Sequence, residues 1–362
     1  MPDEIHIPAE ALEPKPWWPD LPNEELIKEI VKFIAKTGRP HLWAGQTYTR
    51  PPSNATIIYL AEFDLPKSHC ENRELWAPCP CCTPFHPKYC KGGKIAYFPD
   101  ERVIRIIGPD CFGHINEHGH VQAMRNFHAD VQRKKDIAYL LDNLGIVPEL
   151  IGVIEHAVPA AEALDELRVA VRQAFDQHFQ VRMWDHMRDG VLRVRRFHAA
   201  LDTRSAGDDI ERATELVEVY GTIAGYSMLK PHAQRCGLRL KTCMQALRPI
   251  DFGSEFRARV QEMSDADRHH TSDLLGRAIR TAVTVFEEIH DVRQFTTPVT
   301  IATLNGWSRS EGSPLRFQVA FEGTSFYLGR DEDQFRRIPV APEYQTVLRR
   351  LPLLGRRKAS AA

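Results

Sequence analysis

The chain has 362 residues, 43% hydrophobic and 26% charged, the usage of an ordinary folded protein, which excludes a wholly disordered, collagen-like or purely coiled-coil chain. At roughly 100–200 residues per domain this length predicts two or three domains, so one small finger does not account for it. The 47 basic and 48 acidic residues give a formal net charge of −1, so any nucleic-acid partner has to be held by a local patch and not by a global field.

The stretch from Met1 to His6 is acidic and leads into neither an apolar run nor a small-residue cleavage site, so no secretory signal is expected. No window holds about 18 consecutive apolar residues, which predicts a chain without a helical membrane span and a cytoplasmic address. Residues 1–22 form a Pro/Trp-rich arm: Pro8, Pro14, Pro16, Pro19 and Pro22 surround Trp17 and Trp18 and favour extended backbone. Such tryptophans serve as a docking peptide or, more commonly, pack back on their own domain. Asn23 can cap a helix whose apolar stripe is Leu26, Ile27, Ile30, Val31 and Ile34 and whose end is Gly38, about 14 residues in all. Residues 56–63 are β-branched and aromatic and predict a strand leading into a cysteine-rich window.

Beyond that window the middle of the chain is predicted helical. Leu164, Leu167, Val171 and Ala174 form one stripe; Ile210, Ala213, Val217, Tyr220 and Ala224 a second; Leu275, Ile279, Ala282, Phe286 and Ile289 a third. Breaks at Pro148, Pro159, Gly190, Gly207, Pro231 and Pro249 favour a bundle with coiled-coil character over one long rod. From Pro298 onward, apolar clusters separated by Asn305-Gly306, Ser313-Pro314 and Glu322-Gly323 predict strands. The expected fold class is therefore α+β. It comprises the arm at 1–22, a zinc-finger-containing domain at 23–130, a helical module at 131–295, a small β-rich module at 296–350 and a basic flexible tail at 351–362.

Six of the eight cysteines fall between 70 and 111, and in a reducing compartment such crowding favours thiolate chemistry over disulfides. Zn²⁺ takes four ligands in a tetrahedron, and two ligands separated by two residues let one tight turn present both to the same ion. Cys79 and Cys82 have that spacing, and so do Cys111 and His114; between them, residues 94–107 can fold as a hairpin about Pro99, Asp100 and Glu101, returning the second pair beside the first. The expected ligands are Cys79, Cys82, Cys111 and His114, with Cys90 the rival for the fourth place and Cys81 the rival within the first pair. Burial as small hydrophobes is the bland alternative, but this Gly-, Pro- and Lys-rich stretch has no apolar pattern to bury.

The order knuckle, hairpin, then ligands at a helix start resembles a treble-clef zinc finger over about residues 76–128. The resemblance implies a fold motif and no particular activity; the nuclease members of that class need a histidine on the first hairpin strand, and 94–107 contains none. Four protein ligands leave no position for a reacting water, so the expected zinc is structural. A second pattern, His114, Glu117 and His118, has the H-x-x-E-H spacing of inverzincin peptidases and would serve a zinc-dependent hydrolase if all three shared one helix. Gly113 and Gly119 flank it, and with 16 histidines in the chain such a pattern arises readily by chance.

No phosphate-cradling glycine loop or nucleophile elbow is present in the sequence. Cys236 and Cys243 are seven apart and read as packed residues of one helix face. Arg193, Arg195 and Arg196, with Arg235, Arg239 and Lys241, form a basic surface able to engage phosphates if the fold brings them together; solvated faces and internal ion pairs are the alternative. The sequence thus predicts a non-catalytic Zn²⁺-binding protein whose structural finger supports nucleic-acid binding. The alternative is a protein–protein adaptor with helices that mediate self-association, and a zinc-dependent hydrolase ranks third.

Overall fold

The computed structural model describes residues 4–13, 18–174, 177–198, 214–250, 253, 255–329 and 335–352. Its helices and antiparallel sheets make it an α+β protein, and its contacts divide the chain into two compact units, Met1–Asp136 and Ile137–Arg356.

In the first unit the Asn23 side chain accepts a hydrogen bond from the Leu26 N–H at 2.9 Å and starts α1 (Glu24–Thr37). Gly38 ends the helix in the left-handed conformation, φ 63°, donating its N–H to Ile34 O. The predicted stripe buries Ile30 and Ile34 completely. The strand expected at 56–63 is β1 (Ile58–Asp64), followed by the short helix α2 (Ser68–Glu71). The expected hairpin is β2 (Gly92–Phe98) and β3 (Val103–Ile107), closed by the pair Phe98 and Val103. The sheet runs β1-β2-β3, antiparallel throughout, and every residue of β2 and β3 is buried.

A sheet covered on both faces has to match its charges internally. Arg105 on β3 donates to Thr49 O and Oγ1 and to both Glu101 oxygens, at 2.7 and 2.9 Å, with its guanidinium 4.5 Å from the centre of the Phe98 ring. Lys94 on β2 donates to Pro109 O and lies 3.8 Å from Glu62. The arm packs back on its own unit: Trp18 donates from Nε1 to Gly45 O, stacks on Trp43 and accepts the Tyr97 hydroxyl on its carbonyl, while Ile7 and Ala11 bury beside Tyr48. Trp17 lies outside the described residues. After the cysteine window comes α3 (Glu117–Asn143), in which the division between units falls at Asp136.

The second unit is built on α4 (Val147–Ala174), α5 (Gln177–Met187), the ribbon β4 (Val191–His198) and β5 (Thr214–Thr222), α6 (Cys236–Leu247), α7 (Phe256–Glu262), α8 (Asp265–Gln294), α9 (Pro298–Arg309) and the sheet β6 (Gln318–Glu322), β7 (Ser325–Gly329), β8 (Arg336–Pro339). Leu164 of α4, Leu240 of α6, Ile289 of α8, Phe326 of β7 and Ile338 of β8 belong to one apolar cluster, so helices and C-terminal strands share a core. By length and composition α4 with the preceding helix also meets the criterion for a membrane span, as core helices do, and much of α4 is buried in this cluster.

Three expectations are corrected. The helix runs through Pro159, because Val158, Ala160 and Ala161 are buried and packing outweighs the lost N–H. The second helical stripe is a strand at Val217 and Tyr220, where β5 pairs with β4; Ile210 and Ala213 lie outside the described residues. The strand expected at Pro298 is α9: Pro298 sits at the first helical position, where its missing N–H costs nothing, and Leu304 and Trp307 are fully buried.

Candidate metal centre

The first knuckle is a tight turn made by the backbone. Ala77 and Tyr89 exchange hydrogen bonds that bring the two ends of the loop together; Thr83 N donates to Cys79 O at 3.0 Å and Cys82 N to the same carbonyl at 3.3 Å. Cys79 and Cys82 are thereby carried by one turn. The third thiol arrives from the other side of the hairpin, where β3 ends at Ile107 and residues Gly108, Pro109 and Asp110 lead into the 3-10 turn Cys111–His114. Cys82 Sγ lies 3.5 Å from Cys111 Sγ, and the sulfur atoms of Cys79, Cys82 and Cys111 all lie within 4.8 Å of one another. Gly108 donates its N–H to Cys79 Sγ at 3.4 Å. A Cβ on Gly108 would stand 2.7 Å from Cys111 Sγ and 3.1 Å from Tyr89 Cδ1, so only glycine lets strand, ring and sulfur meet there.

Crowded thiols without a cation compete for protons. Hydrogen bonding to Cys79 draws the Cys82 thiol down to about 5. Cys111 is pushed well up, by its contact with Cys79 and then by burial. For Cys79 the contact with Cys111 favours the thiolate, but contacts with Cys81 and Cys82 and burial outweigh it, and the thiol ends well above its ordinary range. A thiophilic cation removes this conflict by taking all three as thiolates. The donor set fits such an ion: three sulfurs, two of them buried, with a backbone N–H directed at one. The hydroxyls of Tyr48 and Tyr89 are buried without a hydrogen-bond partner, and the cluster's thiols add to the burial that raises both phenols.

The other nominated ligands are not members of the three-thiol group. His114 closes the 3-10 turn with its side chain exposed. Cys81 is buried and touches Cys79. Cys90 lies against Cys70, an exposed residue that the ligand spacing did not bring into consideration. Tyr48, Tyr89 and Gly108 were missed as well; only the glycine, three residues before Cys111, left a sequence signal.

The pattern His114, Glu117 and His118 straddles two elements. His114 belongs to the 3-10 turn, Asn116 accepts from Gly119 N at 2.9 Å, and α3 begins at Glu117, so the histidines do not ride on one helix face; all three side chains are exposed. His120 instead meets the Tyr59 hydroxyl at 2.6 Å.

Cys236 and Cys243 are buried on α6, Cys236 pushed up to about 12 chiefly by burial. Among the six basic residues nominated for phosphate contact, four are held in ion pairs: Arg193 with Asp189 at 2.6 Å, Arg196 with Glu218 at 3.3 Å, Arg239 with Glu288 at 2.7 Å and Lys241 with Glu162 at 2.5 Å. Arg195 ties its backbone N–H to Gly312 O, and Arg235 and Arg239 line a cavity of about 810 Å³ together with Arg277, Thr242 and Thr281.

Comparison of the chain with protein families, curated proteins and solved structures finds no match.

Proposed function

We propose that the protein is a non-catalytic zinc-binding protein, in which Cys79, Cys82, Cys111 and a fourth ligand hold a structural Zn²⁺ that locks the knuckle to the end of β3. The observation that carries this reading is the assembly of three sulfur atoms, within 4.8 Å of one another, from two segments that the hairpin separates. Structural zinc sites contribute folding free energy outright, and a finger of this length between knuckle and helix gains most from such a clasp. His114, which closes the turn that Cys111 opens, is the candidate for the fourth place; its sequence rival Cys90 neighbours Cys70 instead, and Cys81, next to Cys82, is the rival within the knuckle. Metal analysis with zinc K-edge absorption tests the reading. One zinc with three or four sulfur neighbours is expected; a shell of nitrogen and oxygen, or no metal, refutes it.

For the partner, a protein is favoured over nucleic acid. Arg193, Arg196 and Lys241 face neighbouring carboxylates only in exposed, weak pairs and Arg239 in a more buried one, so the preference rests on β5, which exposes Leu216, Val217, Val219 and Tyr220, the last three at 60%, 66% and 42%. Fluorescence anisotropy with mixed-sequence single- and double-stranded oligonucleotides at two salt concentrations separates the two classes. Weak, salt-indifferent signals are expected; affinity that falls steeply with salt, and falls further on charge reversal at Arg193, Arg195 and Arg196, would restore nucleic acid as the partner.

A further inference from the structure

We propose that Cys70 and Cys90 form an oxidisable dithiol, a disulfide-forming modification site separate from the Cys79, Cys82 and Cys111 centre. The backbone brings the two together. Leu65 N donates to Lys91 O at 2.9 Å, extending the β1–β2 ladder past its last pair, Asp64 and Gly92, so the chain at Cys90 and Lys91 runs beside Leu65 and Pro66. The turn of α2 then folds back over this point: His69 N donates to Pro66 O at 2.9 Å and Cys70 N to Lys67 O at 3.0 Å. This places the two thiols near enough for Cys70 to raise the Cys90 thiol above its ordinary range. Cys70 is exposed and Cys90 half-buried, so a small oxidant reaches both, in contrast to the buried Cys79, Cys81 and Cys111. Neither belongs to a group of three metal-ligating side chains among the described residues, which leaves pairing as their natural chemistry. The inference does not depend on the zinc reading, because it uses different sulfurs.

The oxidant is a low-molecular-weight disulfide such as oxidised glutathione. The thiolate of one cysteine attacks a glutathione sulfur, forming a mixed disulfide and expelling one glutathione thiolate. The second cysteine, deprotonated, attacks the protein sulfur of that mixed disulfide, forming the Cys70–Cys90 bond and expelling the second glutathione thiolate. The two protein thiol protons end on the two released glutathiones, and the two electrons lost by the protein reduce the glutathione disulfide. The bond closes a loop that contains Cys79, Cys81 and Cys82, strapping the segment that presents the knuckle to its sheet.

The test uses the full chain under native conditions: exposure to oxidised glutathione, alkylation of the remaining thiols and tryptic mapping. Arg73 and Lys88 lie between the two cysteines, so cleavage leaves their peptides joined by the disulfide alone. The expected result is a loss of two free thiols per chain, a Cys70–Cys90 linked peptide that dithiothreitol separates, and a stable glutathione adduct on the remaining partner in Cys70→Ser and in Cys90→Ser. Either cysteine bridged to Cys79, Cys81, Cys82 or Cys111, or both carrying glutathione without pairing, overturns the proposal. So does a wild-type chain in which both stay free. The wild-type map alone decides the matter if a variant fails to fold.

Discussion

Cys82 and Cys111 are 29 residues apart in sequence, yet their sulfur atoms lie 3.5 Å from each other. That contact is made by the antiparallel hairpin β2–β3, whose two strands return the chain to the knuckle, and it gives the metal-centre reading its first prediction. Cys111→Ser should lower zinc affinity by two orders of magnitude or more, about 3 kcal/mol at 1.4 kcal/mol per decade, and Cys79→Ser should do the same. Competition with a chromophoric chelator measures it. The helical circular dichroism of the second unit should survive in both variants, since that unit has its own core.

Gly108→Ala tests the geometry around the sulfurs without removing one. The new methyl would meet Cys111 Sγ at 2.7 Å and Tyr89 Cδ1 at 3.1 Å, so sulfur, ring or strand end has to move. Overpacking of this kind costs about 1–3 kcal/mol. Urea unfolding should report that loss, and the chelator assay should show faster metal release than in wild type. An alanine variant with unchanged metal retention would show that the close approach at Gly108 is not part of the site.

Arg105 is fully buried, and Glu101 carries the carboxylate that answers it. Glu101→Ala leaves a guanidinium inside the sheet with only Thr49 to satisfy it, and removing one partner of a buried pair costs about 3 kcal/mol. Arg105→Met removes the charge together with the need for a partner and should cost less. Equilibrium unfolding of the two variants checks the order; the reverse order would mean that the ion pair, and not the uncompensated charge, sets the balance.

His41 is buried, and burial, followed by the nearby Arg39 charge, lowers its pKa to about 4. The unfolded chain therefore binds this proton more readily than the folded one. The neutral imidazole contributes in full above the unfolded value of about 6.5, and stability declines as pH falls from there toward 4. At pH 4.5 the loss amounts to about 2–3 kcal/mol on this group alone. Unfolding of wild type and His41→Asn should be compared at pH 7.5 and 4.5; the wild type should lose more, and equal losses would remove His41 as the cause.

Much of the first unit was legible because its signals are local. Asn23 and Gly38 bracket α1, the turn at Pro99–Arg102 separates two apolar stretches, and the spacing of Cys79 and Cys82 fixes a knuckle. The fourth ligand was not legible: His114 has the pair spacing with Cys111, Cys90 rivals it in the same window, and only side-chain placement distinguishes them. In the second unit two periods overlap. Val217 and Tyr220 fit a helical stripe, while Val217 and Val219 fit an alternating strand, and pairing with β4 decides for the strand. In α9 a β-branched start outweighed the helix-start signal of Pro298 in the sequence, until burial of Leu304 and Trp307 settled the element. The ion pairs that occupy Arg239 and Lys241 come from α8 and α4, and nothing in the local sequence announces them.

Helix α6 has no side-chain cap from its own N-cap residue, Arg235. The Asp165 carboxylate on α4 takes that role, accepting from Cys236 N at 2.9 Å and Gly237 N at 2.8 Å. The start of α6 is thus written some seventy residues upstream of the helix itself, a separation that ties its formation to the docking of α4. An isolated α6 peptide lacks the acceptor its first turn needs and should be largely unstructured in water. On the ribosome the order is favourable: the acceptor is made first, and each nascent α6 emerges into the presence of the carboxylate that nucleates it.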